Sequence, residues 1–231
     1  MYLFINGWAA DATVWDSLQP SANCRFFDFT EGVELDKLEA YMAVLAEESG
    51  PLQVVGWSMG GMLALELAAR HPEQMERLIL IDSTTRFTLT EDYAAGMPQA
   101  IVRQLARRVR RNSCQAQLNF YQQMFAPGEE AAAETFVKSG AMVRNTTALL
   151  AGLSYLEQRD LRGLLPDIAL PVRVIHGAED AICPLSAGKY LAEHLPAGEL
   201  ICLPNGGHVP FYTQSEICRK LIFEGAGADG Q

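Results

Sequence analysis

Apolar and polar positions along the chain fall into two rhythms. Short apolar runs read as buried strands: Tyr2-Leu3-Phe4-Ile5, breaking at Asn6-Gly7, then Arg25 to Phe29, Leu52 to Val55, Met75 to Ile81, Val172 to Ile175 and Glu199 to Leu203. Between them the spacing turns helical. Leu35, Leu38, Met42 and Leu45 mark a helix over Leu35 to Ser49, the Ala- and Leu-rich stretch from Met59 to Arg70 is closed by His71-Pro72, and further helices fit Ser186 to Leu195 and Ser215 to Phe223. Strands alternating with helices imply right-handed crossovers and a mainly parallel sheet covered on both faces. The alternation stops from about Arg86 to about Asp160, where the pattern is helical throughout. The expected architecture is therefore an α/β core built from residues 1–85 and 161–231, with residues 86–160 as a helical insertion. A Gly/Ala-rich tail from Gly225 is expected to fray.

Composition narrows the function classes. At 231 residues the chain can bury one large core with an inserted piece but not a second full domain. A formal charge of −10 opposes general nucleic-acid binding, which needs a basic surface, although a local basic patch is compatible with it. No run reaches the ~20 apolar residues of a membrane span. Five scattered cysteines lack metal-type spacing, and no secretory leader precedes Tyr2, so a cytoplasmic protein is expected. Cys24 and Cys202 are read as small buried hydrophobes beside strands.

Candidate chemistry sits where strands end. Gly56-Trp57-Ser58-Met59-Gly60 matches G-x-S-x-G between an apolar strand and a helix, where a strained turn would present the Ser58 hydroxyl at the sheet's carboxyl edge. Such a turn leaves no room for side chains at Gly56, Gly60 and Gly61. By itself the pentapeptide also fits a helix N-cap serine in a glycine-rich turn. A serine hydroxyl needs a base and a group to orient that base. Asp180, in His176-Gly177-Ala178-Glu179-Asp180, follows one predicted strand as the candidate acid. His208, in Asn205-Gly206-Gly207-His208, follows the last strand as the candidate base, completing the chain order Ser, Asp, His. Asp82, which also follows a strand, and Glu179 are rival acids. His176 reads as a packing residue in or at the end of a strand, His71 lies near a helix terminus and His194 on a helix. An oxyanion hole would draw one backbone N–H from Met59 and a second from Trp8 in the loop after the first strand. Trp8 and Trp57 also fit plain core packing.

The insertion carries Arg103, Arg107, Arg108, Arg110 and Arg111 within nine residues. Arg103, Arg107, Arg110 and Arg111 can share one helical face suited to a polyanionic partner, or a solvated face paired with acids such as Glu129 and Glu130.

Taken together, Asn6-Gly7-Trp8, Gly56 to Gly61, Gly177 to Asp180 and Gly207-His208-Val209-Pro210-Phe211 resemble the pimeloyl-[acyl-carrier protein] methyl ester esterases of biotin synthesis, an α/β-hydrolase family, over nearly the whole chain. The resemblance implies a serine carboxylesterase that needs no metal or organic cofactor. It also implies a helical cap that binds an acidic acyl-carrier protein through arginines, and an acyl channel beneath the cap lined by Trp8 and by Phe120. Two departures stand out: Asn6 stands where the family usually has histidine, and the family's leading β-hairpin is expected to be absent. Small-molecule carboxylesterases, lactonases and carbon–carbon hydrolases share these motifs, and a non-catalytic receptor of the same fold is the remaining alternative.

Overall fold

A computed structural model describes residues 1–29, 32–139 and 142–224, so the tail from Gly225 lies outside the described residues. The core begins with β1 (Tyr2–Ile5), β2 (Cys24–Phe27), α1 (Leu35–Ser49), β3 (Leu52–Trp57), α2 (Met59–Arg70) and β4 (Met75–Ile81). Four helices follow: α3 (Gln99–Arg111), α4 (Ser113–Gln123), α5 (Glu130–Ser139) and α6 (Thr146–Gln158). The chain then returns through β5 (Val172–Gly177), α7 (Leu185–His194), β6 (Gly198–Leu203), α8 (Pro210–Thr213) and α9 (Ser215–Phe223).

The six strands form one sheet in the order β2-β1-β3-β4-β5-β6, and all five pairings are parallel. Leu3, Phe4 and Ile5 are all buried, as are Leu78 to Ile81, which is what a strand covered by helices on both faces requires. At the sheet edge the rule relaxes. On β6, which pairs only with β5, Cys202 is exposed, correcting the expectation that it is buried, whereas Cys24 is buried as expected. Strand order reverses between β1 and β3, the place where parallel α/β sheets open a crevice beyond their carboxyl ends. Among the described residues no helix is long and apolar enough to cross a membrane.

The segment between β4 and β5 is helical only from Gln99; residues 86–98, expected to be helical, instead form an irregular stretch with isolated bridges, Arg86 with Asp160 and Thr88 with Met97 among them. It is anchored to the core by a buried acid. Glu66 on α2 is almost fully enclosed; its Oε1 accepts from Tyr155 Oη at 2.7 Å and from Arg159 Nε at 3.0 Å, tying the end of α6 to α2. Tyr155 is held above the usual phenol range by burial and then by the Glu66 charge, so it stays a donor.

Candidate active site

The turn from β3 into α2 is strained in the way its sequence demands. Ser58 has φ 54°, ψ −119°, a conformation costly for any residue with a side chain. It is tolerated because the neighbouring backbones close in: a Cβ on Gly60 would lie 2.2 Å from the Ile5 carbonyl oxygen, so only glycine lets α2 start there. Ser83 Oγ donates to the Ser58 carbonyl at 2.8 Å and holds the turn from β4. Ser58 occupies the N-cap position of α2 but its side chain makes no capping bond. Its Oγ instead lies 2.9 Å from His208 Nε2.

His208 Nδ1 in turn lies 2.7 Å from Asp180 Oδ2, and all three side chains are buried. Asp180 Oδ1 accepts from the backbone N–H groups of Ile182 at 2.7 Å and Cys183 at 3.0 Å, which leaves Oδ2 aimed at the imidazole. The loop carrying His208 is fixed at both backbone polar groups. Its N–H donates to the Met124 carbonyl at 2.6 Å, and its carbonyl accepts from Trp57 Nε1 at 2.8 Å.

The rival acids lie elsewhere. Glu179 makes no bond to His208 and lines a separate groove with Phe125 and Glu130. Asp82 is completely buried, with φ 44°, and its Oδ1 accepts from the Gly177 N–H at 2.8 Å while Oδ2 has no partner among the described residues. Burial first, and the charge of Asp180 second, push its carboxyl well above the carboxylate range. His176 is more than a packing residue: Nε2 lies 2.8 Å from the Cys183 carbonyl, 3.7 Å from Asp180 Oδ2 and 3.8 Å from Asp82 Oδ1. Burial lowers its pKa, which keeps the imidazole neutral, with Nε2–H donating to that carbonyl. His71 caps the end of α2, and His194 ends α7.

Two sets, Asp82 with His176 and Asp180, and Asp180 with Cys183 and His208, hold their ligand atoms within 4.8 Å of one another. Both depend on Asp180, whose oxygens are already engaged by two amides and an imidazole. The Cys183 thiol is pushed well above its ordinary value by burial, which disfavours the thiolate a metal would need. These donors fit a hydrogen-bonded support better than a metal centre.

Trp8 follows β1, and its neighbour Ala9 takes a left-handed φ of 63°. Among the described residues no acceptor takes the backbone N–H of Trp8 or of Met59. The Trp8 indole donates to the Leu149 carbonyl on α6 at 2.8 Å and meets Phe120 edge-on, with ring centroids 4.9 Å apart. Gly152 makes room for it, since a Cβ there would come within 2.6 Å of Trp8 Cδ1. Trp8, Phe120 and Ser58 all line one cavity of about 720 Å³, counting its open mouth, walled by Phe87, Leu153 and Leu156. Asn6 is buried as a bridge, accepting from Trp15 Nε1 at 2.6 Å and donating to Asp28 Oδ1 at 2.5 Å.

Two site-building residues had no assigned role in the sequence. Trp57 was open between core packing and function, yet its indole fixes the His208 carbonyl. Tyr121, beside Phe120, donates from its hydroxyl to the Ala9 carbonyl and ties α4 to the Trp8 loop. A buried tyrosine must find a partner for its hydroxyl, and that is the only trace either residue leaves in the sequence.

On α3, Arg103 pairs with Glu157 at 2.6 Å, while Arg107, Arg110 and Arg111 are exposed and make no ion pair among the described residues. Glu129 and Glu130 are not their partners: both accept from backbone amides of their own loop, Ala126 and Gly128.

Residues 2–219 match the model of a family described as the alpha/beta hydrolase family. A pimeloyl-[acyl-carrier protein] methyl ester esterase of Nitrosomonas europaea is 30% identical over 228 residues, covering 93% of this chain and 90% of its own length. The corresponding Aromatoleum aromaticum protein is 32% identical over 238 residues, covering 95% of each. Among solved structures, an esterase from Exiguobacterium antarcticum superposes with a TM-score of 0.82 at 20% identity over 95% of this chain and 89% of that one, a likeness of fold.

Proposed function

The chain belongs to the alpha/beta hydrolase family, and from that premise we propose that it is a serine carboxylesterase whose substrate is a carrier-bound acyl methyl ester, as the name of its relatives describes for them. His208 Nε2 takes the Ser58 proton as Oγ attacks the ester carbonyl carbon, and Asp180 stabilises the imidazolium that forms. The oxyanion is held by the backbone N–H groups of Trp8 and Met59, the second helped by the positive end of α2. His208 then gives its proton to the departing alkoxide, which leaves as the alcohol. A water, deprotonated by the same imidazole, attacks the acyl-enzyme and restores Ser58, releasing a carboxylic acid.

The unbroken relay from Asp180 through His208 to Ser58 is what supports this reading most. The Trp8 and Met59 amides, without acceptors among the described residues, add to it, because Ser58 beside them makes no capping bond with its side chain. Residues 86–160 act as a cap over the site, with Trp8 and Phe120 lining the acyl path. Arg107, Arg110 and Arg111, with Arg103 beside them, present a cationic face to an acidic carrier protein. That Arg107, Arg110 and Arg111 make no ion pair among the described residues supports that role.

The test is one variant and two substrates. Ser58→Ala should abolish hydrolysis of a short p-nitrophenyl ester, of a pimeloyl-carrier methyl ester and labelling by a fluorophosphonate, with an unchanged unfolding midpoint. Activity surviving in that variant overturns the nucleophile assignment. A native enzyme that turns over the small ester but not the carrier ester overturns the substrate assignment alone.

A further inference from the structure

The cavity that opens over Ser58 carries a charge in its lining that the reaction itself does not use. α3 lines it through Ile101, Val102, Gln104, Leu105 and Arg108. Ile101, Gln104, Leu105 and Arg108 stand at i, i+3, i+4 and i+7, one stripe along the helix that Val102 widens at its apolar end. The stripe runs from apolar to cationic over about 10 Å of helix axis. Arg108 is the only charged residue lining the cavity among the described residues, and Gln104, Asn119 and Gln123 beside it are neutral. It is exposed and makes no ion pair among the described residues. None of the other α3 arginines lines the cavity.

We propose that Arg108 is a specificity determinant that reads an oxyanion, carboxylate or phosphate, at the distal end of the acyl chain whose ester lies at Ser58. The proposal rests on the serine-esterase reading above. An apolar wall rewards methylene groups, and an unneutralised guanidinium in the same lining rewards a negatively charged terminus through a planar, two-toothed contact. The whole chain carries a formal charge of −10, so without a local cation its field would turn an anionic substrate away. A place in the last turn of α3 also suits a cation, but Arg110 and Arg111 fill that role already and point elsewhere. The anion has two sources: the free carboxylate of a dicarboxylic half-ester, or the phosphate of a carrier's phosphopantetheine arm.

The experiment compares wild type, Arg108→Gln and Arg108→Lys on matched pairs of methyl esters. Monomethyl pimelate is set against dimethyl pimelate to test the carboxylate source, and the methyl pimeloyl thioester of phosphopantetheine against that of pantetheine to test the phosphate source. Wild type should favour the anionic member of one pair, and Arg108→Gln should lower kcat/KM for that member about tenfold while leaving the neutral member within twofold. Arg108→Lys should recover part of the preference, and high salt should shrink it in wild type. An anionic preference that is absent in wild type, or undiminished in Arg108→Gln, overturns the proposal. Calorimetric binding of the same compounds to Ser58→Ala and to Ser58→Ala/Arg108→Gln reads the preference without turnover. Failure of all esters to react, with anion-selective binding intact, would sink the esterase reading and not the role of Arg108.

Discussion

Asp82 lies behind the acid of the relay, and replacing it with asparagine tests whether it is a neutral acid or an ionised one. Its carboxyl is fully buried, with one oxygen bound to the Gly177 N–H and the other unpartnered among the described residues. Burial and the neighbouring Asp180 charge raise its pKa well above the ordinary 3.8. The folded protein therefore keeps a proton that the unfolded chain gives up once the pH exceeds about 3.8. For a group raised in this way, the fold is least penalised at or below that pH, and stability is lost as pH rises toward the folded value. The slope is about 1.4 kcal/mol per pH unit for one proton.

Asparagine imitates the neutral acid in shape and has no proton to lose. The difference in unfolding free energy, Asp82→Asn minus wild type, should thus grow by about 1.4 kcal/mol for each unit of pH above 5 until it levels off at the folded pKa. Urea denaturation at pH 5, 6, 7 and 8 reads it directly. Subtracting the two proteins removes the titrating groups remote from Asp82 and leaves its neighbours, Asp180 and His176, the latter 3.8 Å away with a pKa that burial lowers. That histidine contributes with the opposite sign: it favours the fold above pH 6.5 and loses that contribution on acidification, so points at pH 7 and 8 are free of it. Esterase activity gives the second reading. Asp82→Asn should keep kcat within about threefold, whereas Asp180→Asn should lose on the order of 10³-fold or more by upsetting the histidine's tautomer. A stability difference that is flat with pH would mean Asp82 is ionised in the fold. Collapse of kcat in Asp82→Asn, with Asp180→Asn spared, would make Asp82 the orienting acid and refute the relay as described.

Two further substitutions probe the supports of the site. Trp57→Phe removes the 2.8 Å bond to the His208 carbonyl, and should cut kcat by about tenfold with KM nearly constant, because only the base is released; a pure KM effect in steady-state kinetics would contradict that. Tyr121→Phe strands the buried Ala9 carbonyl, so it should lower stability by about 1–3 kcal/mol in urea denaturation and slow turnover through the Trp8 loop; unchanged kcat would show that the loop holds itself.

The interior strands and several helices were legible because burial on two faces imposes a local pattern. Tyr2–Ile5, Leu35–Ser49, Met59–Arg70, Met75–Ile81 and Ser215–Phe223 coincide with elements expected from hydrophobic spacing alone. Strand ends were less so. β5 continues through His176 and Gly177, beyond the apolar run, since backbone pairing with β6 carries on where side-chain hydrophobicity stops. Cys202 was misjudged because a strand at the sheet edge has the same residue types as an interior one but only one neighbour.

The same distinction separates the reactive residues from those that hold them. The turn around Ser58 writes its constraint into adjacent positions: Ser58 holds a positive φ, and a Cβ at Gly60 would fall 2.2 Å from the Ile5 carbonyl oxygen, so the motif is forced by sterics at the start of the helix. The supports act over great sequence distance. Trp57 reaches His208 across 151 residues, Trp8 reaches Leu149 across 141, and Tyr121 reaches Ala9 across 112. Each meets a backbone carbonyl, which every residue possesses, so the accepting position bears no mark of the contact. Arg108 follows the same logic, since it differs from four neighbouring arginines only by the helix stripe on which it falls. A stripe has meaning once the helix is seated over the cavity, and the packing that seats α3 is set by tertiary contacts that leave its arginine spacing unchanged. Residues that make chemistry possible by local strain are therefore found by motif, and residues that aim it are found only where the fold brings distant backbone to their side chains.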